Sequence, residues 1–217
     1  MARRTKQEAD ETREALLNAA ELVFLERGVA RASLDEIARG AGCSRGAVHW
    51  HFGDKLGLFL ALDERLVLFQ DEACRTLSDE DGCRSLAAMR GSITEAMASL
   101  ENDGHRRRLL TVMLQRCEYV EEMAPALDRR RNADASMRCM LSRCFESAAQ
   151  RGEMSGCWTP EQAAMFLHAL IAGLINDWLR ADAGFSLSEE VDRALQVFFA
   201  CIAGGAAPAD ALADTHA

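Results

Sequence analysis

Twice within eleven residues this chain starts a helix. Ser33-Leu34-Asp35-Glu36 is a capping box, in which the serine hydroxyl takes the N–H three residues on and the glutamate reaches back to the serine N–H. Ser44 is a second N-cap, ahead of Arg45-Gly46-Ala47-Val48-His49-Trp50-His51-Phe52. Between them lie Ala38, small enough for close helix approach, and Gly42, free to turn at positive φ. A small residue, a glycine at a tight turn and a capped short helix are together the grammar of a helix-turn-helix.

The second of these helices has two faces. At ~3.6 residues per turn, Val48 and Phe52 stack on one side. Arg45, Gly46, His49 and Trp50 fall on another, giving a guanidinium, a backbone open to close approach and two flat ring donors. Such groups suit phosphates and base edges. They equally suit an amphipathic helix whose exposed aromatics belong to a protein interface. The flanks favour the first reading. Asp54 is placed to cap the next helix, and Lys55 sits at its start, where a cation opposes the dipole. That position makes sense if Lys55 and the helix terminus address a phosphate together. The bland alternative is a solvated lysine.

Charge restricts where such a surface can be. The formal net charge is −9 over 217 residues, a poor balance for non-specific polyanion binding. Residues 1–55 are neutral, with nine Lys and Arg against nine Asp and Glu, and they open on Arg3, Arg4 and Lys6 with no acid. A nucleic-acid surface is therefore expected to be local and N-terminal, with the acidic remainder held away from phosphates. Residues 1–11 read as a polar, basic-tipped arm, either a disordered terminus or a reach toward a neighbouring groove.

About half the residues are hydrophobic and only 3 are proline, which favours an all-α fold. Helices are predicted over residues 12–27, 34–41, 45–52, 56–77, 83–100, 105–121, 125–151, 160–180 and 188–203. Gly28 fits the stop of the first, and Pro160 sits at a start, where its missing N–H costs little. The expected division is a reading segment 1–55, a larger helical segment 56–204 and a frayed tail 205–217.

Several function classes are excluded or disfavoured. The 8 cysteines form no C-x-x-C pair and match no zinc spacing, so no metal is expected. No apolar signal core precedes residue 13, and the longest apolar run, near 166–175, is too short to span a bilayer. A reducing cytoplasm with mostly buried free thiols is the natural expectation. A thiol-based redox-responsive regulator is the alternative function. There is no convincing Ser/His/Asp set, no carboxylate pair with a role and no Gly-rich phosphate loop, so an enzyme is not expected and no cofactor is implied.

The N-terminal quarter resembles the TetR family of transcriptional regulators. The resemblance is carried by Thr12-Arg13, Ala19-Ala20, Phe24, Gly28, Leu34-x-x-Ile37-Ala38, Ala41-Gly42, Ser44 through Val48, Trp50-His51-Phe52 and Lys55-x-x-Leu58. Residues 1–6, the Trp50-His51-Phe52 run and Gly173-Leu174-x-x-x-Trp178-Leu179 are similar to the AcrR-type branch, repressors of multidrug efflux operons. The resemblance implies a three-helix DNA-binding domain followed by a helical ligand-binding and dimerisation domain. It implies a homodimer on a near-palindromic double-stranded operator, released by a small apolar or aromatic inducer. It assigns DNA contacts to Ser44, Arg45, Gly46, His49, Trp50, His51 and Lys55, with Ser33 a further candidate through its helix N-terminus. Arg45 is expected to read a base, and His51 and Lys55 to hold phosphates. Two positions depart from the family, which often has Tyr at His49 and Lys or another polar residue at Gly53. Operator preference is expected to lie there.

In the same family frame the last two helices form a dimer interface, using Phe166, Leu167, Leu170, Ile171, Leu174, Trp178, Val191, Leu195, Phe198 and Phe199. A buried monomer core is the alternative for these residues. The middle of the larger segment would hold the inducer, lined by Phe69, Met89, Ile93, Met97, Met113, Cys117, Met137, Cys139, Met140, Cys144, Phe145 and Ile171, with His168 and Asn176 as polar members. Met-rich linings adapt to varied apolar ligands. Plain core packing is the commoner reason for methionines at this spacing. Arg106–Arg108 and Arg129–Arg131 read as solvated faces.

Overall fold

The computed structural model describes residues 6–78 and 85–204, excepting the side chains of 68–78 and 121. Arg3, Arg4 and the tail from 205 lie outside the described residues. Among the described residues every regular element is helical. These are α1 (Lys6–Arg27), α2 (Leu34–Gly40), α3 (Arg45–Phe52), α4 (Lys55–Ser78), α5 (Leu86–Glu101), α6 (Gly104–Gln115), a 3-10 turn at Glu121–Met123, α7 (Ala124–Gln150), α8 (Pro160–Arg180) and α9 (Leu187–Ile202). Two compact units result: Met1–Phe69 with His105–Arg131, and Gln70–Gly104 with Asn132–Ala217.

The first unit is built around one core. Leu16, Leu17, Ala20 and Phe24 of α1 meet Ile37 and Ala38 of α2 and Val48 of α3. Leu58, Phe59 and Leu62 of α4 and Leu109, Val112 and Met113 of α6 complete it. Helices as short as α2 and α3 cannot hold themselves together, and burying one such aliphatic or aromatic side chain contributes about 1.5–3 kcal/mol. The core supporting α3 therefore reaches well past residue 55.

The turn between α2 and α3 follows from its residues. Gly42 has φ +65. Its N–H donates to the Arg39 carbonyl at 3.1 Å and the Cys43 N–H to that of Ala38 at 2.8 Å, which makes a Schellman stop. Ser44 Oγ then accepts from the Ala47 N–H at 3.3 Å. After α3 the chain reverses at Gly53, φ +80 and ψ −65, with the Asp54 N–H donating to the Phe52 carbonyl at 3.0 Å. This is a γ-turn of the rare hand, open mainly to glycine. Asp54 Oδ1 caps α4 by accepting from the Gly57 N–H at 2.7 Å. A Cβ on Gly57 would overlap the Phe52 carbonyl oxygen.

Among the described residues of this unit one carboxylate is buried. Glu21 of α1, 3% exposed in its side chain, faces His105 Nδ1 at 2.9 Å and Arg108 Nε at 2.6 Å, both from α6. Arg129 pairs with Asp63 at 2.9 Å. Arg106, Arg107, Arg108, Arg129 and Arg130 are all half-buried, and only Arg131 is exposed. The expected solvated arginine faces are therefore largely packed and paired.

Two helix limits differ from expectation by more than three residues. α1 begins at Lys6 rather than 12. Gln7 donates to Glu11 at 3.0 Å one turn on, and the Thr12 hydroxyl donates back to the Glu8 carbonyl at 2.7 Å, so Thr12 lies inside the helix. α6 stops at Gln115 instead of 121. The Arg116 carbonyl is taken by the Val29 N–H at 2.8 Å, and the Tyr119 hydroxyl donates to the Met113 carbonyl at 2.8 Å.

In the second unit, α5 packs against α9 and α9 against α8. Glu101, at the end of α5, caps α9, accepting from the Leu187 N–H at 2.8 Å and the Ser188 hydroxyl at 2.7 Å. Burial raises its pKa, but the Ser188, Leu187 and Ser186 hydrogen bonds outweigh burial and leave the carboxyl below its ordinary value. Arg90 holds Asp192 bidentately at 2.7 and 2.6 Å. That hydrogen bonding is the largest cause of the lowered Asp192 pKa. α8 starts with a capping box between Thr159 and Gln162. It ends through Asp182 and Ala183, both at positive φ.

Candidate functional site

The outward side of α3 is open and lightly held. Trp50 is 72% exposed. The His51 ring sits edge-on to the Trp50 indole, with centroids 4.4 Å apart. Arg45, whose side chain is 69% exposed, pairs with the exposed Asp35 at 3.1 Å. Such a surface pair contributes about 0–1 kcal/mol, so it does not lock the guanidinium. An added Cβ on Gly46 would meet only Ser44 Oγ, at an ordinary 3.7 Å. Nothing inside the protein therefore requires glycine there. His49 Nδ1 lies 2.6 Å from the Gly53 carbonyl oxygen, so the two positions that depart from the family are bonded to each other.

Arg13 of α1 lies over the Phe52 ring at 5.4 Å. This cation–π contact steadies the end of α3 and is not visible in the spacing.

Two expected contacts prove to be engaged internally. Ser33 Oγ accepts from the Glu36 N–H at 3.2 Å and donates to Glu36 Oε2 at 2.9 Å, while the Ser33 N–H donates to Oε2 at 3.1 Å and completes the capping box. Lys55, expected to hold a phosphate, has a side chain only 18% exposed, with Nζ 3.7 Å from Glu122. Its ammonium donates to the Val29 and Ala30 carbonyls at 3.2 and 3.1 Å. The cation at the start of α4 is thus compensated by carbonyls after α1, a contact across 25 residues that no local pattern signals.

The residues expected around an inducer fall in both units. Met113 and Cys117 belong to the first, where Met113 is core and Cys117 packs against it. The Cys117 thiol is pushed up to about 11, chiefly by burial and then by Glu118. In the second unit Met89, Ile93, Cys144 and Phe145 are buried. Met97, Met137, Met140, His168, Ile171 and Asn176 are half-buried, and Cys139 is exposed. His168 Nε2 lies 3.6 Å from Asp134. The Phe69 side chain lies outside the described residues. A groove of about 790 Å³ between α5 and α9 is lined by Arg90, Thr94, Asp192, Gln196 and others, with none of the expected inducer residues among them. Of the thiols described as free, Cys139, Cys157 and Cys201 are exposed and Cys43 and Cys117 intermediate, so the expectation of mostly buried free thiols does not hold.

Leu167, Trp178, Val191, Leu195 and Phe199, expected at a dimer interface, are buried within the protomer. Of the same expected set, Leu170, Ile171, Leu174 and Phe198 are half-buried and Phe166 is exposed, on an outer stripe of α8 with Met165, Ala169, Ala172 and Gly173. Phe166, 52% exposed, stands edge-on to Trp158 at 5.4 Å. Trp158 in turn contacts Phe198 at 6.1 Å. Among the described residues no group of three His, Cys, Asp or Glu could hold a metal, and no helix is long and apolar enough to cross a membrane.

A helix-turn-helix whose second helix presents an open polar and aromatic face defines a class of DNA-binding proteins. The sequence narrows the class. Residues 16–62 match the model for bacterial regulatory proteins of the tetR family, and residues 84–202 match the C-terminal region of MAATS-type transcriptional repressors. The transcriptional repressor BepR of Brucella suis is 41% identical over 185 residues, 85% of this chain and 88% of BepR. NalD, the secondary repressor of the MexAB-OprM multidrug efflux pump in Pseudomonas aeruginosa, superposes with a TM-score of 0.80 at 36% identity, covering 89% of this chain and 96% of NalD. SmeT of Stenotrophomonas maltophilia in complex with triclosan gives 0.75 at 28%, covering 88% and 90%. The chain belongs to the TetR family of transcriptional regulators.

Proposed function

We propose that this protein is a ligand-responsive repressor of a multidrug efflux operon. The reading is carried by one observation: the lightly held outward face of α3 in a chain whose similarity to efflux-pump repressors runs along most of its length. A homodimer places two α3 helices in successive major grooves, about 34–36 Å or somewhat more apart, on a near-palindromic operator. Arg45 leaves Asp35 for a base edge, and Gly46 lets the phosphate backbone approach. Ser44, Trp50 and His51 fix register on the duplex. Ser33 and Lys55 act by holding the α2 start and the α1–α4 junction, with any phosphate contact secondary.

Residues 1–55 carry the reading head, and 56–204 carry ligand binding and dimerisation. The Met165, Phe166, Ala169, Ala172 and Gly173 stripe supports dimerisation, because an apolar face of this kind is unfavourable in water. The inducer is a small apolar or aromatic compound. It acts only through its preference for the state that does not fit the operator, and ~1.4 kcal/mol of preference lowers operator affinity about tenfold. Footprinting on the DNA upstream of the protein's own gene tests the reading. A protected near-palindrome supports it, and uniform cleavage at saturating protein overturns it.

A further inference from the structure

We propose that His49 is a specificity-determining residue that selects an amino base, adenine or cytosine, on the strand it contacts; this rests on the DNA-binding reading above. The Gly53 carbonyl can only accept, so the nitrogen 2.6 Å from it, Nδ1, carries the ring's hydrogen. In the neutral ring the second nitrogen, Nε2, is therefore a lone-pair acceptor. The arrangement is held from both ends. The Gly53 N–H donates to the His49 backbone carbonyl at 2.9 Å, while the Gly53 carbonyl takes the ring N–H. The γ-turn that aims this carbonyl has φ +80, where side-chain-bearing residues are strained.

His49 lies one helical turn after Arg45, so the two share a face. Both are exposed. An acceptor on that face is repelled by a phosphate oxygen, which also only accepts. In the major groove its partners are the exocyclic amino groups, N6 of adenine and N4 of cytosine. Keto bases, guanine and thymine, present acceptors at that place and are rejected. Arg45, all donor, takes the opposite kind of edge. The two side chains together read a keto base and an amino base.

The test is selection from a duplex library with a random core. Full-length wild type and His49→Ala are compared. Alanine deletes the Nε2 acceptor and leaves the exposed Gly53 carbonyl to solvent. Wild type is expected to enrich an amino base at one position in each half-site, and His49→Ala to level that position by roughly three- to tenfold while keeping the others. The slope of log affinity against log salt should be the same for both. An unchanged preference in His49→Ala overturns the assignment. So does a slope reduced by about one, the mark of a lost phosphate contact. A second measurement needs no variant. Wild type is titrated with a duplex in which the selected adenine is replaced by purine, or the selected cytosine by its analogue lacking the amino group. A three- to tenfold loss is roughly what a single hydrogen bond supplies and supports the proposal; no loss overturns it. If wild type enriches no sequence, the DNA-binding reading itself fails and this inference with it.

Discussion

Arg45 and Gly46 are adjacent, yet they are expected to respond differently to the same substitution. Arg45→Ala removes the proposed base contact and should weaken specific operator binding by about 1–3 kcal/mol while leaving stability nearly unchanged, since its ion pair with Asp35 is exposed. Gly46→Ala should raise stability by about 0.5–1 kcal/mol, because alanine is the better helix former and the site has room. It should nevertheless weaken DNA binding, because the methyl group stands where the duplex backbone approaches. Thermal melts with gel-shift titrations check both, and a Gly46→Ala protein that binds as wild type would falsify the close approach. At this scale the sequence was informative wherever a residue's task is local. Ser33, Gly42, Ser44 and Asp54 do what their neighbours dictate. Lys55 misled because its partners, the Val29 and Ala30 carbonyls and Glu122, are brought to it by packing.

Elements are joined by charges whose effects can be signed. Glu101 and Asp192 tie α5 to α9, and both carboxyls lie below their ordinary values of 4.5 and 3.8. A group depressed on folding binds fewer protons in the native state. Its stabilisation is therefore complete above the ordinary value and lost as pH falls through the lowered one. The protein should lose stability below about pH 4.5. Glu101→Ala should cost about 1–2 kcal/mol at neutral pH and flatten that acid limb in a urea-melt series. An acid limb as steep as wild type would remove Glu101 from the account. Glu21 joins α1 to α6. Its loss in Glu21→Ala strands Arg108, which is itself 41% exposed and partly resolvated, so about 2–3 kcal/mol is expected, below the usual figure for a fully buried pair. None of these joints shows in periodicity. Glu101 reads as the end of one helix, and only the fold makes it the cap of another. The early start of α1 was missed because residues 6–11 are polar but for Ala9 and held by one-turn side-chain bonds. The end of α6 is set by Val29, far away in sequence. The start of α8 at Pro160, by contrast, was legible, because a proline at the first helical position costs no hydrogen bond.

Over the whole molecule the account requires two copies and two states. The all-α architecture and the family were legible because the helix-turn-helix grammar is dense and local. The residues expected around an inducer divide between the two units, Met113 in one and Met89 in the other, a division that helical spacing does not show. Of the apolar surplus of α8 and α9 expected at a dimer surface, much is the protomer's own core, while Met165 and Phe166 stand exposed. The central claim is that a small molecule and the operator compete for the conformation of one protein. It is tested most directly by fluorescence anisotropy of a labelled duplex carrying the footprinted site, titrated with protein in the presence and absence of triclosan, dyes, antibiotics and plant phenolics. The account predicts sequence-specific binding with a dimer per site, and at least one apolar or aromatic compound that weakens it about tenfold or more. Affinity that is indifferent both to operator sequence and to every compound in the panel would contradict it.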